Sequence, residues 1–232
     1  KSKKEKPKSD GNGQPQEERD YTPDDGDEEP RSENLGLEKS KLNIYPMIHG
    51  TDPLAAKTLE LIAMELIEIL YGKCDFYVRD AAHEIVKQMI KDKIENLGAV
   101  RLKNPKLDEI YYKMLKGTNT GYPALSEYMT LDQGNASIFL RYASKTVLRA
   151  ALGEHCAKSV FDAEKKNWLK DKRKKVITKD ELKQIIGKDR SSTLPTELMD
   201  VLLNCGNVEK GFSQTYKEGG EKIRAVHALK AG

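Results

Sequence analysis

The densest chemistry in this sequence is a run of cations. Lys165, Lys166, Lys170, Lys172, Arg173, Lys174 and Lys175 fall within eleven residues, and only Glu164 and Asp171 offset them. Such groups neutralise phosphates and give affinity without reading bases. A charge run can also be a plain solvated face. Three details favour binding. Trp168, the only tryptophan, lies inside the run. The run leads into Thr178-Lys-Asp-Glu181, a capping box that opens a helix, and a helix amino end is a further phosphate contact. A strongly acidic segment near the start of the chain opposes the run in charge. These seven residues are the candidate nucleic-acid-binding set.

No other chemistry is legible. The four histidines are His49, His83, His155 and His227, and no two stand three or four residues apart. His155 is adjacent to Cys156, so on a helix the two diverge by about 100° and do not form a nucleophile pair. His83-Glu84 lacks the second histidine of a metalloprotease helix. Cys74, Cys156 and Cys205 are far apart and odd in number, with no CxxC zinc spacing. A reducing compartment (nucleus or cytoplasm) or a virion interior fits them best. Gly117 and Gly121 follow a helix, not a strand, and no lysine completes a phosphate loop. Acidic pairs are abundant, but none sits in an apolar setting that would tune it for acid–base work. We expect no catalytic residue, no metal ligand and no cofactor, and therefore not an enzyme.

The elements that must position the cations are helical. Asp52-Pro53 opens a helix that is apolar nearly all round to Leu70, with Gly72 as its stop. A second runs from about Phe76 to Leu97 on Val78, Ala82, Ile85, Met89 and Ile90. Asn104-Pro105 starts a third, closed by Gly117. Residues 117–134 read as loop. Asn135 is expected to cap the longest helix, to about Trp168, with Gly153 at a close helix crossing. Thr178 caps another, and Pro195 opens the last firm one, stopped by Gly206. A weak helix near Glu221 to Leu229 ends the pattern, and no strand is expected. No apolar run is long enough for a membrane span.

Composition divides the 232 residues further. The chain is 38% hydrophobic, 33% charged and only 6% aromatic, with net charge +3. Its first 42 residues hold nine basic and twelve acidic groups, so residues 43–232 carry +6. Lys1 to Lys8 is a basic tip, and Glu17 to Glu38 an acidic middle with ten acids. Such a stretch buries too little apolar surface to offset its ordering entropy. The chain opens on Lys1 rather than Met, which fits trimming or release from a precursor. The expected organisation is a disordered tail over 1–42, an all-α core of about six helices over 43–206, and a flexible arm over 207–232. The core divides into possible halves at 43–100 and 101–206.

The stretch Leu107 to Gly187 resembles a histone fold. Leu107–Gly117 matches the short first helix, and Ile138 onward the long central one. Lys174-Lys175-Val176-Ile177-Thr178-Lys179-Asp180-Glu181-Leu182 is similar to the basic second loop and capped third helix. The resemblance implies that Arg173, Lys174 and Lys175 touch DNA backbone, and that the function is non-enzymatic packaging of nucleic acid. The loop at 117–134 departs from it, being longer than the fold's first loop and lacking arginine. An alternative is a viral nucleocapsid or coat protein that assembles on RNA through charged arms around a helical core. A second alternative is a helical scaffold that binds no nucleic acid. The first helix is apolar on more than one face, which predicts a homo- or hetero-oligomer.

Overall fold

The computed structural model describes residues 38–118, 121–134, 136–170, 177–188, 192–205, 213–218 and 221–226. The expected tail, its basic tip and most of its acidic middle lie outside the described residues, as do Lys172 to Lys175. The fold is all-α, with a few short strands.

The described chain enters through a strap. Leu42–Asn43 forms β1, and Tyr45–His49 a single-turn α1 that the sequence did not signal. Asn43 is buried and works on both sides. Its Nδ2 donates to the Asp132 carbonyl at 2.8 Å, and its Oδ1 accepts from the Asp132 amide at 3.0 Å. Burial of a polar side chain costs little when its bonds are met this way.

α2 spans Pro53–Tyr71. Asp52 caps it, accepting from Leu54 N at 2.9 Å and Ala55 N at 3.1 Å, with Pro53 at the first position. Leu59, Ile62, Ala63, Leu66 and Ile67 are fully buried, while Lys57, Leu61 and Glu65 face outward. Helix α2 is therefore a central helix covered on most sides, with one mixed stripe exposed.

α3 spans Val78–Asp92, shorter than the spacing predicts. Lys93 turns left-handed at φ 47° and its amide bonds back to Ile90 O. The reason lies downstream: Ile94 and Leu97 turn into the core, which a continuing helix would prevent. α4 spans Pro105–Lys116, capped by Asn104 as expected. Gly117 follows at φ 71°, and a Cβ there would come within 2.9 Å of Ala124 N, so the close approach of the two segments demands glycine. Met129–Thr130 is β2, paired in parallel with β1.

The largest correction concerns residues 135–168. The expected single long helix is a short strand, a turn and two helices. Asn135, its expected cap, lies outside the described residues. β3 is Ile138–Phe139, α5 is Lys145–Leu152 and α6 is Glu154–Lys170. Ser144 sets the later start, its hydroxyl accepting from Val147 N at 3.2 Å. Gly153 sets the break, at φ 76° and ψ 158°, a conformation closed to other residues. Arg149 and Glu154 pair across it at 2.6 Å. Gly153 is thus a terminator, not a crossing point inside a helix.

α7 spans Lys179–Lys188. Pro195 opens not a full helix but a turn of 3-10 helix running into the four-residue α8, Met199–Leu202. Leu203–Asn204 then goes extended as β4, parallel to β3, so the element ends before Gly206. Ser213–Glu218 and Glu221–Val226 are β5 and β6, an antiparallel pair where a weak helix was expected. Gly219-Gly220 lies between them in sequence, a two-residue hairpin signal that outweighs the weak helical spacing.

One continuous apolar cluster runs from Leu42 to Leu203 and joins the stretches 43–100 and 101–206. α2 packs on α3 and on α5, α5 on α6, and α6 on α7. The basic run therefore leaves the last helix pair of a layered stack.

Candidate nucleic-acid interface

The cations divide between two places. Lys165 is half-buried and Lys166 exposed near the carboxyl end of α6. Lys170 is the last residue of that helix, and Trp168 lies in its last turn. Lys172, Arg173, Lys174 and Lys175 connect α6 to α7 in sequence and lie outside the described residues. Glu164, beside Lys165, is only 1% exposed, so the helix turns a carboxylate inward and its neighbouring lysine toward the rim.

Ile177 is fully buried and anchors the connection to the core. The capping box read in the sequence is present in both directions. Glu181 N donates to Thr178 Oγ1 at 3.2 Å, and Thr178 N donates to Glu181 Oε2 at 2.7 Å. Satisfying both amides this way contributes roughly 1 kcal/mol for the cap. It also fills that helix end with the chain's own carboxylate.

Two further cations stand on α7. Lys179 pairs with Asp200 of α8 at 2.5 Å, and Lys183 reaches the same carboxylate at 3.5 Å. The bond from Lys179 holds the Asp200 carboxyl below the usual carboxylate range, with Lys183 adding to it. The same bond raises the Lys179 ammonium. Cys205, just after β4, is half-buried; burial pushes its thiol up, while Lys179, Arg141 and Lys183 pull it down.

The other side of β4 brings a cluster that the sequence reading passed over. Phe139 and Tyr142 meet edge to face at 6.4 Å, apart from the main core. Lys39 Nζ stands 5.7 Å from one ring centre and 5.6 Å from the other, a cation–π arrangement. Arg141 lies between the two aromatics in sequence. Lys41 bonds Glu38 in the strap alongside. The signal was available: Phe139-Leu-Arg-Tyr142 interleaves aromatic and basic residues. It was hidden because those residues were assigned to a helix.

The arrangement sets Lys39 against a largely buried aromatic pair. It brings no nucleophile next to a base. Among the described residues no three His, Cys, Asp or Glu side chains converge as metal ligands, and no helix is long and apolar enough to cross a membrane. His83 and His155 are both exposed, and Cys156 is buried away from His155. No family model matches the chain, and comparisons with curated proteins and with solved structures return no relative.

Proposed function

We propose that this protein packages nucleic acid without catalysing a reaction, holding phosphates through cations at the α6–α7 end. The observation that carries the reading is the sequence of charge at that end. Lys165, Lys166 and Lys170 close α6, Lys172, Arg173, Lys174 and Lys175 follow, and Lys179 and Lys183 continue on α7. No base-reading set of side chains accompanies them, so affinity comes from phosphates and depends on salt.

The resemblance of 107–187 to the histone fold gives the first form of the reading: a discrete particle on duplex DNA, with α4, α5–α6 and α7 as its parts. A coat or nucleocapsid protein on single-stranded RNA is the second form. The charged segments that the sequence sets around a helical core support it. Oligomerisation belongs to both. Leu54 and Leu61, two turns apart on α2, are 57% and 44% exposed and mark a face for a second subunit.

The test replaces Lys172, Arg173, Lys174 and Lys175 with Gln in the full chain. About four phosphate contacts give a log–log salt slope on the order of −3 to −4 in the parent. The variant should keep its helix content and lose affinity uniformly across sequences. Unchanged affinity and slope in a folded variant would take the α6–α7 cations out of the interface and remove the reading, and a parent that binds no nucleic acid would leave the scaffold alternative. Electron microscopy with and without nucleic acid then separates particles on duplexes from filaments on single strands.

A further inference from the structure

A second charged surface lies on α3, which packs on α2. The outer face of α3 and the segment before α4 enclose an open groove of about 450 Å³, lined by Asp80, His83, Glu84, Lys87, Gln88, Lys91 and Lys103. His83, Lys87 and Lys91 are spaced four residues apart, so they form one row along the helix, each about 6 Å from the next. Lys103 faces that row from the far wall. Lys87, Lys91 and Lys103 have no ion pair or hydrogen bond with any described residue, unlike Lys179 and Lys183 on Asp200. The nearest carboxylate past Lys91, Asp92, accepts from Gln88 Nε2 at 2.7 Å. Asp108, at the start of α4, accepts from the Leu102 amide at 2.8 Å. Asp80 and Glu84 lie at the amino-terminal end of the groove, which leaves its other end cationic.

The packing order separates this groove from the basic run. α3 rests on α2, α2 on α5, α5 on α6 and α6 on α7. In the order of packing, α2 and α5 stand between α3 and the α6–α7 pair. We propose that the α3 groove is a second phosphodiester site, and that one subunit thereby holds two segments of nucleic acid at once. The inference rests on the packaging reading above and deepens it. Packaging requires segments to be brought together, and a two-sided subunit does this directly.

The test counts short random-sequence oligonucleotides bound per chain, using the full protein and calorimetry at low salt. The parent should bind two, one tightly and one weakly. The weak step, held by three lysines, should show a salt slope of about −2 to −3. Lys87→Gln with Lys91→Gln and Lys103→Gln should bind one, with the tight step unchanged and the helix signal intact. Asp80→Asn with Glu84→Gln should tighten the weak step at least twofold. A parent that binds one oligonucleotide per chain, a triple variant that still binds two, or an acid-neutralised variant with no tightening would each overturn the groove assignment while the packaging reading stands. A parent that binds none would overturn both.

Discussion

The α2–α3–α5 layer and the α6–α7 end of this molecule are built by different means. The layer is apolar and continuous: Ile62, Leu66, Ile85, Val86, Val147 and Leu148 are fully buried, and α2 and α5 begin on side-chain caps. The end has a thinner apolar seam, chiefly Phe161, Ile177, Leu182 and Ile186, and adds a capping box and a shared carboxylate between two lysines. Burial fixes the first region whatever its surface carries. In the second, local polar contacts and surface charge occupy the same residues, Lys179, Lys183 and Asp200. The difference implies that stability and binding can be moved separately.

The sharpest break in that comparison is Leu66→Ala, in the middle of α2. It removes a fully buried side chain from the core, at a cost of about 2–5 kcal/mol. Chemical denaturation should show the loss as a lower midpoint, and the folded fraction should bind nucleic acid as the parent does. A loss of affinity at equal folded fraction would mean that the layer, not the end, carries the interface.

The next effect comes from Gly153, and it bears on what the sequence could reveal. The apolar stripe from Ile138 to Phe161 has helical spacing, and periodicity alone joins it into one helix. What divides it is local: a serine hydroxyl at Ser144 and one glycine in a conformation that only glycine tolerates. Caps at Asp52, Asn104 and Thr178 were readable because each pairs a capping side chain with a proline or a glutamate at fixed spacing. Ser144 has no such companion, so it was passed over, and with it the aromatic–basic turn at 139–142. The early end of α3 was hidden for another reason, since the burial of Ile94 and Leu97 is a tertiary fact. The cations of the candidate site were legible as a run, while the pairing of Lys179 and Lys183 with Asp200 and of Lys39 with the Phe139 and Tyr142 rings arises only through folding. Gly153→Ala should cost about 1–3 kcal/mol if the break is required. A variant as stable as the parent, with more helix by circular dichroism, would show that the long helix is the better solution and that Gly153 alone prevents it.

A smaller effect is expected at the cap of α7. Thr178→Ala leaves the Glu181 amide without its hydroxyl partner and removes the hydroxyl's own bond to Glu181 Oε2, while the backbone N–H at 178 can still donate to that carboxylate, for about 1 kcal/mol. In a protein where the end is held locally, that loss should appear first as faster hydrogen exchange over α7, with the α2 amides unaffected. Uniformly faster exchange in both regions would mean that the end and the layer unfold as one unit.

The smallest effect on stability, and the one that moves binding the other way, is Asp200→Asn. Its carboxylate is fully exposed, so its pairs with Lys179 and Lys183 are screened by water and salt and contribute little. The sign is nonetheless fixed. Because Lys179 depresses the folded-state carboxyl, the pair's contribution is present above the unfolded value of about 4 and is lost as pH falls through the folded value. Melting temperatures of parent and variant should therefore differ slightly at neutral pH and converge in acid below about pH 4. Binding should respond in the opposite sense. Removing the shared carboxylate leaves Lys179 and Lys183 without a partner on α8 and raises the positive potential of the end, so oligonucleotide affinity at low salt should increase and the increase should fade as salt rises. If the variant binds no more tightly at any salt concentration, α7 lies outside the interface. The cations at the end of α6 and in the connection to α7 would then carry it alone.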